Sequence, residues 1–370
     1  MQAVVSVEIQ KERKLPGKGD ILVSLGEHVQ AEQIVARTEL PGNVEVVKLA
    51  QRLGVSPAEI PGLMVKKVGD TVRKGEVLAY SPGFFGFFRS EVCSPIDGTL
   101  ESVSEITGQA ILREPPISVE LKAYIPGEVT EIFPETGVEI TTRAALVQGI
   151  FGVGGENFGI LKMAVDSPDE VLDESSLNEE YKGCVVVGGS LMTLSAIRKA
   201  EKLGVRAVVA GGINDQDLKE YLGYSIGVAI TGMENIPLTI IVTEGFGRLP
   251  MAHRTFDLLK SLENKHASVN GATQIRAGVL RPEIIIAEEN PSLSDADFQE
   301  SSNLSGELKP GRLIRIIRPP FFGKLARVSA LPVELQKIST ESKVRVVEVI
   351  LEENGQKVTI PRANVELFEE

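Results

Sequence analysis

Between Lys309 and Arg327 the chain carries six basic residues, Lys309, Arg312, Arg315, Arg318, Lys324 and Arg327, and no acidic one. Phe321 and Phe322 stand inside the run. Cations at this density bind nucleic-acid phosphates, and a neighbouring aromatic ring stacks on an unpaired base. Strand alternation puts Arg312 and Arg318 on the side of Ile314 and Ile316, and Arg315 on the side of Leu313 and Ile317. A regular strand therefore does not present all three arginines together. The run reads either as an RNA- or partner-binding edge or as a solvated wall whose charges pair with the acidic remainder of the chain.

A second set of residues suits a small ligand. Gly188-Gly189-Ser190, Gly211-Gly212-Ile213-Asn214, Thr231-Gly232 and Thr243-Glu244-Gly245-Phe246-Gly247-Arg248 each mark a turn next to an apolar run. In a parallel sheet such turns gather beyond the carboxyl ends of the strands, where ligands bind. There, backbone amides and Arg248 hold an anion, with Thr243 and Glu244 as polar contacts. Glycine serves any tight strand-to-helix turn as well, so the bland reading stands beside the functional one. Glu244, His253 and Arg254 have the types of an acid, a base and an anion clamp. A helical histidine is commonly a surface residue, so no catalytic residue is assigned. Gly152-Val-Gly154-Gly155 has glycine enough to wrap a phosphate. It lacks the following lysine-serine pair and helix of a phosphate loop and reads as a crossover between domains.

Other chemistries are excluded by what the chain contains. Cys93 and Cys184 are its two cysteines, and His28, His253 and His266 its three histidines, all widely separated. A multi-cysteine zinc site, an iron–sulfur cluster, an HExxH motif and a Ser-His-Asp order are missing, so neither a metal nor a cofactor is expected. A formal charge of -12 confines any nucleic-acid contact to a local patch. The opening MQAVVSVEIQKERK puts apolar residues before charges, the reverse of a signal peptide, and no apolar run reaches membrane-spanning length. The expectation is a cytoplasmic chain without a membrane span, its oligomeric state open.

The elements that position these residues fall into a multidomain β plus α/β arrangement. Residues 1–160 are dense in glycine and alternating β-formers, with one helix expected over Val44–Leu53 and a further turn over Pro57–Ile60. Gly69-Asp70-x-Val72-x-x-Gly75-x-x-Leu78-Ala79 and Ser94-Pro95-x-Asp97-Gly98-x-Leu100 are strands turned by glycine. Gly17-Lys18-Gly19-Asp20, followed by Gly26-x-x-Val29, resembles the first of these and hints at an internal repeat. Both motifs resemble the barrel-sandwich hybrid of biotinyl and lipoyl domains. In that family a lysine on an exposed hairpin receives the prosthetic group. The corresponding Ser81–Ser94 contains no lysine, so attachment is rejected. The fold also resembles that in the C subunit of the Rnf complex, which implies an interaction module here without iron–sulfur chemistry. Phe84, Phe85, Phe87 and Phe88 beside Arg89 form either a partner- or base-stacking patch or a plug in their own core.

From residue 161 to 287 the pattern changes to strand–helix alternation. Strands are expected at Cys184–Gly188, Arg206–Ala210, Gly227–Ile230, Leu238–Val242 and Ile284–Ala287, with helices from Ser190 to about Leu203, over Asp215–Tyr221 and over Leu249–Asn264. This predicts a small parallel, doubly wound α/β domain. Residues 288–305 are an acidic, serine-rich linker. From 306 to 370, Leu308-Lys-Pro-Gly311 through Pro320-Phe-Phe-Gly323 to Val328 resembles the KOW motif that opens SH3-like β barrels of the NusG family and several ribosomal proteins. Arg318 and Ala326 depart from it where the family has glycine. Asn354-Gly355 is a strong hairpin turn. The resemblance implies a binding or adaptor protein that docks on RNA, ribonucleoprotein or the transcription–translation machinery through Arg312, Arg315, Arg318, Phe321, Phe322, Lys324 and Arg327. The alternatives are a small-molecule or nucleotide site in the central glycine loops, enzymatic or not, and a self-assembling scaffold.

Overall fold

The computed structural model describes residues 2–81, 90–224, 232, 234, 236–274, 280–288, 308–316, 321, 323–332, 336–337 and 343–367. The protein is mostly β, with several sheets, the largest a mixed sheet of 13 strands. No helix among the described residues is long and apolar enough to cross a membrane.

One arm of the large sheet is antiparallel. Gln2–Lys14 pairs along the whole of Gly137–Gln148, which also carries Gly127–Phe133, and that strand in turn carries His28–Val29. A three-stranded sheet of Ile117–Lys122, Ile34–Leu40 and Asp20–Ile21 faces it. Alternate residues Val29, Val35, Val129 and Ile140 fill the space between them. Leu40 lies opposite Ile117, and everything between them in sequence is a second unit with its own core.

That nested unit repeats the plan of its host. Its four-stranded sheet runs Val44–Val47, Ala110–Arg113, Gly98–Val103, Thr71–Val72. Val77–Ser81 pairs with Ser90–Cys93 in a second sheet. The two units match bond for bond. Gly69 N–H donates to the Leu100 carbonyl and Gly26 N–H to that of Val129, both at 2.8 Å. Leu100 N–H returns to Asp70 and Val129 N–H to Glu27, both at 2.9 Å. Thr71 faces Thr99 as His28 faces Glu128. The Asp70 carboxylate accepts from Lys67 N–H as that of Glu27 accepts from Ser24 N–H. Gly26 and Gly69 both adopt the left-handed conformation, at φ 80° and 94°, that makes glycine the cheap residue at this turn. The repeat unit therefore begins at Gly26, and Gly17–Asp20 is not its counterpart.

The helix expected over Val44–Leu53 is shorter. The β-branched run Val44–Val47 pairs with Ala110–Arg113, and only Leu49–Leu53 is helical, stopped by Gly54 at φ 68°. Pro57–Glu59 is a 3₁₀ turn leading into the helix Ile60–Leu63. Phe84, Phe85, Phe87 and Phe88 lie outside the described residues.

The other arm of the sheet is parallel. Glu156–Met163, Val185–Val187, Ala207–Ile213 and Thr239–Phe246 run side by side, with Phe151–Val153 antiparallel at the edge. Helices Leu194–Leu203 and Asp215–Leu222 pack on one face and His253–Ser261 on the other, which accounts for strands buried on both sides. The first helix starts later than Ser190, because Leu191–Met192 pairs as a short strand and Thr193 Oγ1 accepts from Ala196 N–H as the cap. Gly227–Ile230 is outside the described residues. His266–Asn270 and Glu283–Ala287 join the two arms, so Glu156–Met163 crosses the border expected near residue 160 and the sheet is continuous there.

The carboxyl-terminal module is a five-stranded antiparallel sheet ordered Lys357–Pro361, Val346–Leu351, Leu325–Ala330, Leu313–Ile316, Val365–Leu367. Ile314, Ile316, Val328, Val347 and Val349 form its core. The turn at Asn354-Gly355 is present, with Gly355 at φ 70°. Among the described residues the sheet does not close into a barrel.

Candidate functional site

At the carboxyl ends of the parallel strands the turns 188–190, 211–214 and 243–248 meet, and the chain's own backbone fills the space between them, whereas Gly232 packs on Ala272 near the other end of the last strand. A Cβ on Gly189 would overlap the Glu170 carbonyl oxygen, one on Gly211 that of Leu249, and one on Gly212 that of Gly247. Gly188 lies against the Leu172 side chain. Ser190 is fully buried; its hydroxyl donates to the Asp169 carbonyl at 2.7 Å and its own carbonyl accepts from Leu249 N–H at 2.9 Å. Arg248 reaches the Ser190 hydroxyl at 3.4 Å and the Asp169 carbonyl at 3.3 Å. Glycine is required here by close approach of segments 167–172 and 247–251. Thr231 lies outside the described residues.

Thr243 and Glu244, at the end of the last parallel strand, are both fully buried. The Glu244 carboxylate accepts from Ala252 N–H at 3.1 Å, at the amino terminus of helix His253–Ser261, where the helix dipole favours negative charge. Its charge partner comes from the carboxyl-terminal module. Arg315, 1 % exposed, donates through Nη1 to the Glu244 carbonyl at 2.6 Å, the Thr243 carbonyl at 2.8 Å and Glu244 Oε2 at 3.3 Å. Burial pushes the Glu244 carboxyl above its usual range, and Arg315 and the Ala252 amide draw it part of the way back. Close backbone packing accompanies the pair. Gly245, at φ 150°, leaves room for Gly323, whose carbonyl oxygen is 2.6 Å from where a Cβ would stand, and Gly323 packs on Phe246. His253 and Arg254 are exposed on the first helical turn.

The basic run is thus divided. Arg315 points into the central half of the chain, the parallel arm with its helices; Arg312 is exposed. Lys324 pairs with Glu353 at 2.5 Å, and Arg327 pairs with Glu352 at 3.2 Å and donates to the Gly311 carbonyl at 3.0 Å. These outer pairs are half-exposed and individually worth less than about 1 kcal/mol. Phe321 packs against the core of its own module. Arg318 and Phe322 lie outside the described residues.

The glycine run before the parallel strands is also internally occupied. Glu234 Oε2 accepts from Gly154 N–H at 2.9 Å and from Gly232 N–H at 2.7 Å, so a carboxylate of the chain itself sits where an anion would. Among the described residues no group of three or more His, Cys, Asp or Glu side chains is placed to hold a metal ion.

Two features escaped the sequence reading. Gly137–Gln148 changes partner along its length, from Gly127–Phe133 to Glu283–Ala287, and a cleft of about 630 Å³ opens where the sheet forks. His28, Glu128, Thr142, Arg143, Lys265 and His266 are among its walls, bringing together a histidine of an edge strand and one of a central strand of the large sheet. Buried Tyr124 donates to Glu283 at 3.2 Å, and Lys11 reaches the same carboxylate at 2.6 Å. Burial and the Glu283 charge hold the Tyr124 hydroxyl well above its usual range, keeping it a donor. Neither has a local sequence signal, since both depend on pairing between distant strands. No protein-family model matches this chain, and no curated protein matches it.

Proposed function

We propose that this chain is a cytoplasmic binding protein, an adaptor that docks on RNA, ribonucleoprotein or the transcription–translation machinery through its KOW-like carboxyl-terminal sheet, with two nested barrel-sandwich-like modules as a further interaction platform. The observation that carries this reading is the anchoring of the carboxyl-terminal sheet by Arg315 on Glu244. A module held this way presents its remaining surface, including Lys309 and Arg312, at a fixed orientation. The glycine turns beneath it are occupied by backbone and side chains of the chain itself, which favours a docking role over catalysis there.

Removing the module would strip Glu244 of its partner, so the test uses the intact chain. Wild type and Lys309→Glu/Arg312→Glu are compared for retention of RNA, ribosomes and RNA polymerase, with and without nuclease, across a salt series. Wild-type retention weakened by charge reversal and by salt is expected; no retention by wild type at low salt rejects the proposal. The cleft at the sheet fork favours a second reading, a small polar ligand held among Arg143, Lys265 and the two histidines. Stabilisation of wild type by such a ligand, abolished in Lys265→Ala/His266→Ala, would support it.

A further inference from the structure

We infer that the carboxyl end of the last parallel strand carries a guanidinium-binding site, built from the Thr243 and Glu244 carbonyl oxygens and the Glu244 carboxylate, and that Arg315 is its resident ligand. All three acceptors belong to the central half, and they converge on one nitrogen at 2.6–3.3 Å. The central half is incomplete without a cation at this point. Glu244 is fully buried, and a buried carboxylate left without a charge partner is far more costly than a paired one. The cradle is prepared from the other side as well, since Ala252 N–H holds the second carboxylate oxygen and fixes its orientation.

Access is built into the backbone. Gly245 has no side chain at the very place where Gly323 approaches, so the strand end admits an arginine-bearing strand that a larger residue would bar. The chemical class the site takes is an alkylguanidinium, the side chain of arginine, supplied here within the same chain. It is independent of whether the module's outer surface binds RNA.

The test is cavity complementation in full-length Arg315→Ala, with ethylguanidinium chloride as probe. Ethylammonium chloride, urea and sodium chloride at equal concentration are the controls, and the readout is Tm. The site predicts a saturable rise, about 2 °C at ten times the probe's Kd, not matched by the controls. The rise should be missing from wild type, whose site is filled, and from Arg315→Ala/Glu244→Gln. A folded Arg315→Ala that does not respond overturns the inference, as does an equal response to ethylammonium or in the double variant. If Arg315→Ala does not fold, Arg315→Gln is titrated in its place, and the same criteria decide.

Discussion

At Glu244 the balance between desolvation and pairing is open to measurement. Removing one partner of a buried ion pair typically costs about 3–5 kcal/mol, and replacing both by uncharged groups recovers much of it. Arg315→Met should therefore destabilise strongly in urea unfolding, and Arg315→Met/Glu244→Gln markedly less. The pH dependence has a definite sign. The Glu244 carboxyl is raised in the folded chain, so the folded state holds that proton more tightly than the unfolded one. Its contribution makes wild type less stable as pH rises from the ordinary carboxylate range through the raised value, and constant above it. Glu244→Gln lacks this contribution. The stability of wild type minus that of Glu244→Gln, followed from about pH 4 to pH 8, should fall with pH; a difference that rises would mean that Arg315 outweighs burial. Arg315 itself shows what a sequence cannot reveal. Alternation separated it correctly from Arg312, but nothing local says that its side of the strand meets a carboxylate 71 residues earlier.

Among the elements, the two repeated units offer an internal control that most folds lack. Gly26 and Gly69 occupy the same left-handed turn, and no atom lies closer than 3.9 Å to an added Cβ at either. Alanine at each should cost about 1–2 kcal/mol through backbone strain alone. Gly98 and Gly127 are equivalent in the opposite strand, and there a Cβ would overlap the Arg113 and Thr141 carbonyl oxygens. Gly98→Ala and Gly127→Ala should each cost more than the turn pair, because a paired strand must move away. Denaturant midpoints of the four variants check the order, and a turn variant that destabilises more than its strand counterpart would contradict it. The turns at Gly69 and Gly98 were legible because glycine beside aspartate has a local meaning. The repeat was only hinted at, and its extent was missed because its halves are nested: Gly26 precedes Gly69, whereas the counterpart of Gly98 is Gly127, which follows it. No single period relates the copies, so a search for fixed spacing misaligns the first one to Gly17–Asp20. The Val44–Val47 strand was misread for a related reason. Its valines have β propensity, but the partner that decides the matter, Ala110–Arg113, is far along the chain.

For the whole molecule, the arrangement is one long sheet with two attachments of different kinds. The strand–helix alternation after residue 161 was readable from buried apolar runs, but the antiparallel joining strands that fuse it to the amino-terminal arm were not, because pairing partners leave no mark in a single strand. The carboxyl-terminal module is held by a buried charge pair, so its detachment carries a penalty in the central half. The nested unit has a separate core and joins its host through a paired stem, in which Leu40 faces Ile117 and Glu114 N–H donates to the Asn43 carbonyl at 2.9 Å. Replacing residues 41–116 by Asn-Gly, a two-residue turn suited to directly opposed antiparallel strands, should leave the host sheet intact. The shortened chain should unfold cooperatively, with an m-value reduced in line with the surface removed and with the Glu244–Arg315 contribution unchanged. Residues 43–113 alone, small but with their own core of Leu78, Leu100 and Leu112, should fold as a marginally stable domain. Loss of cooperative unfolding in the shortened chain would mean that the nested unit is integral to the host fold and not a guest within it.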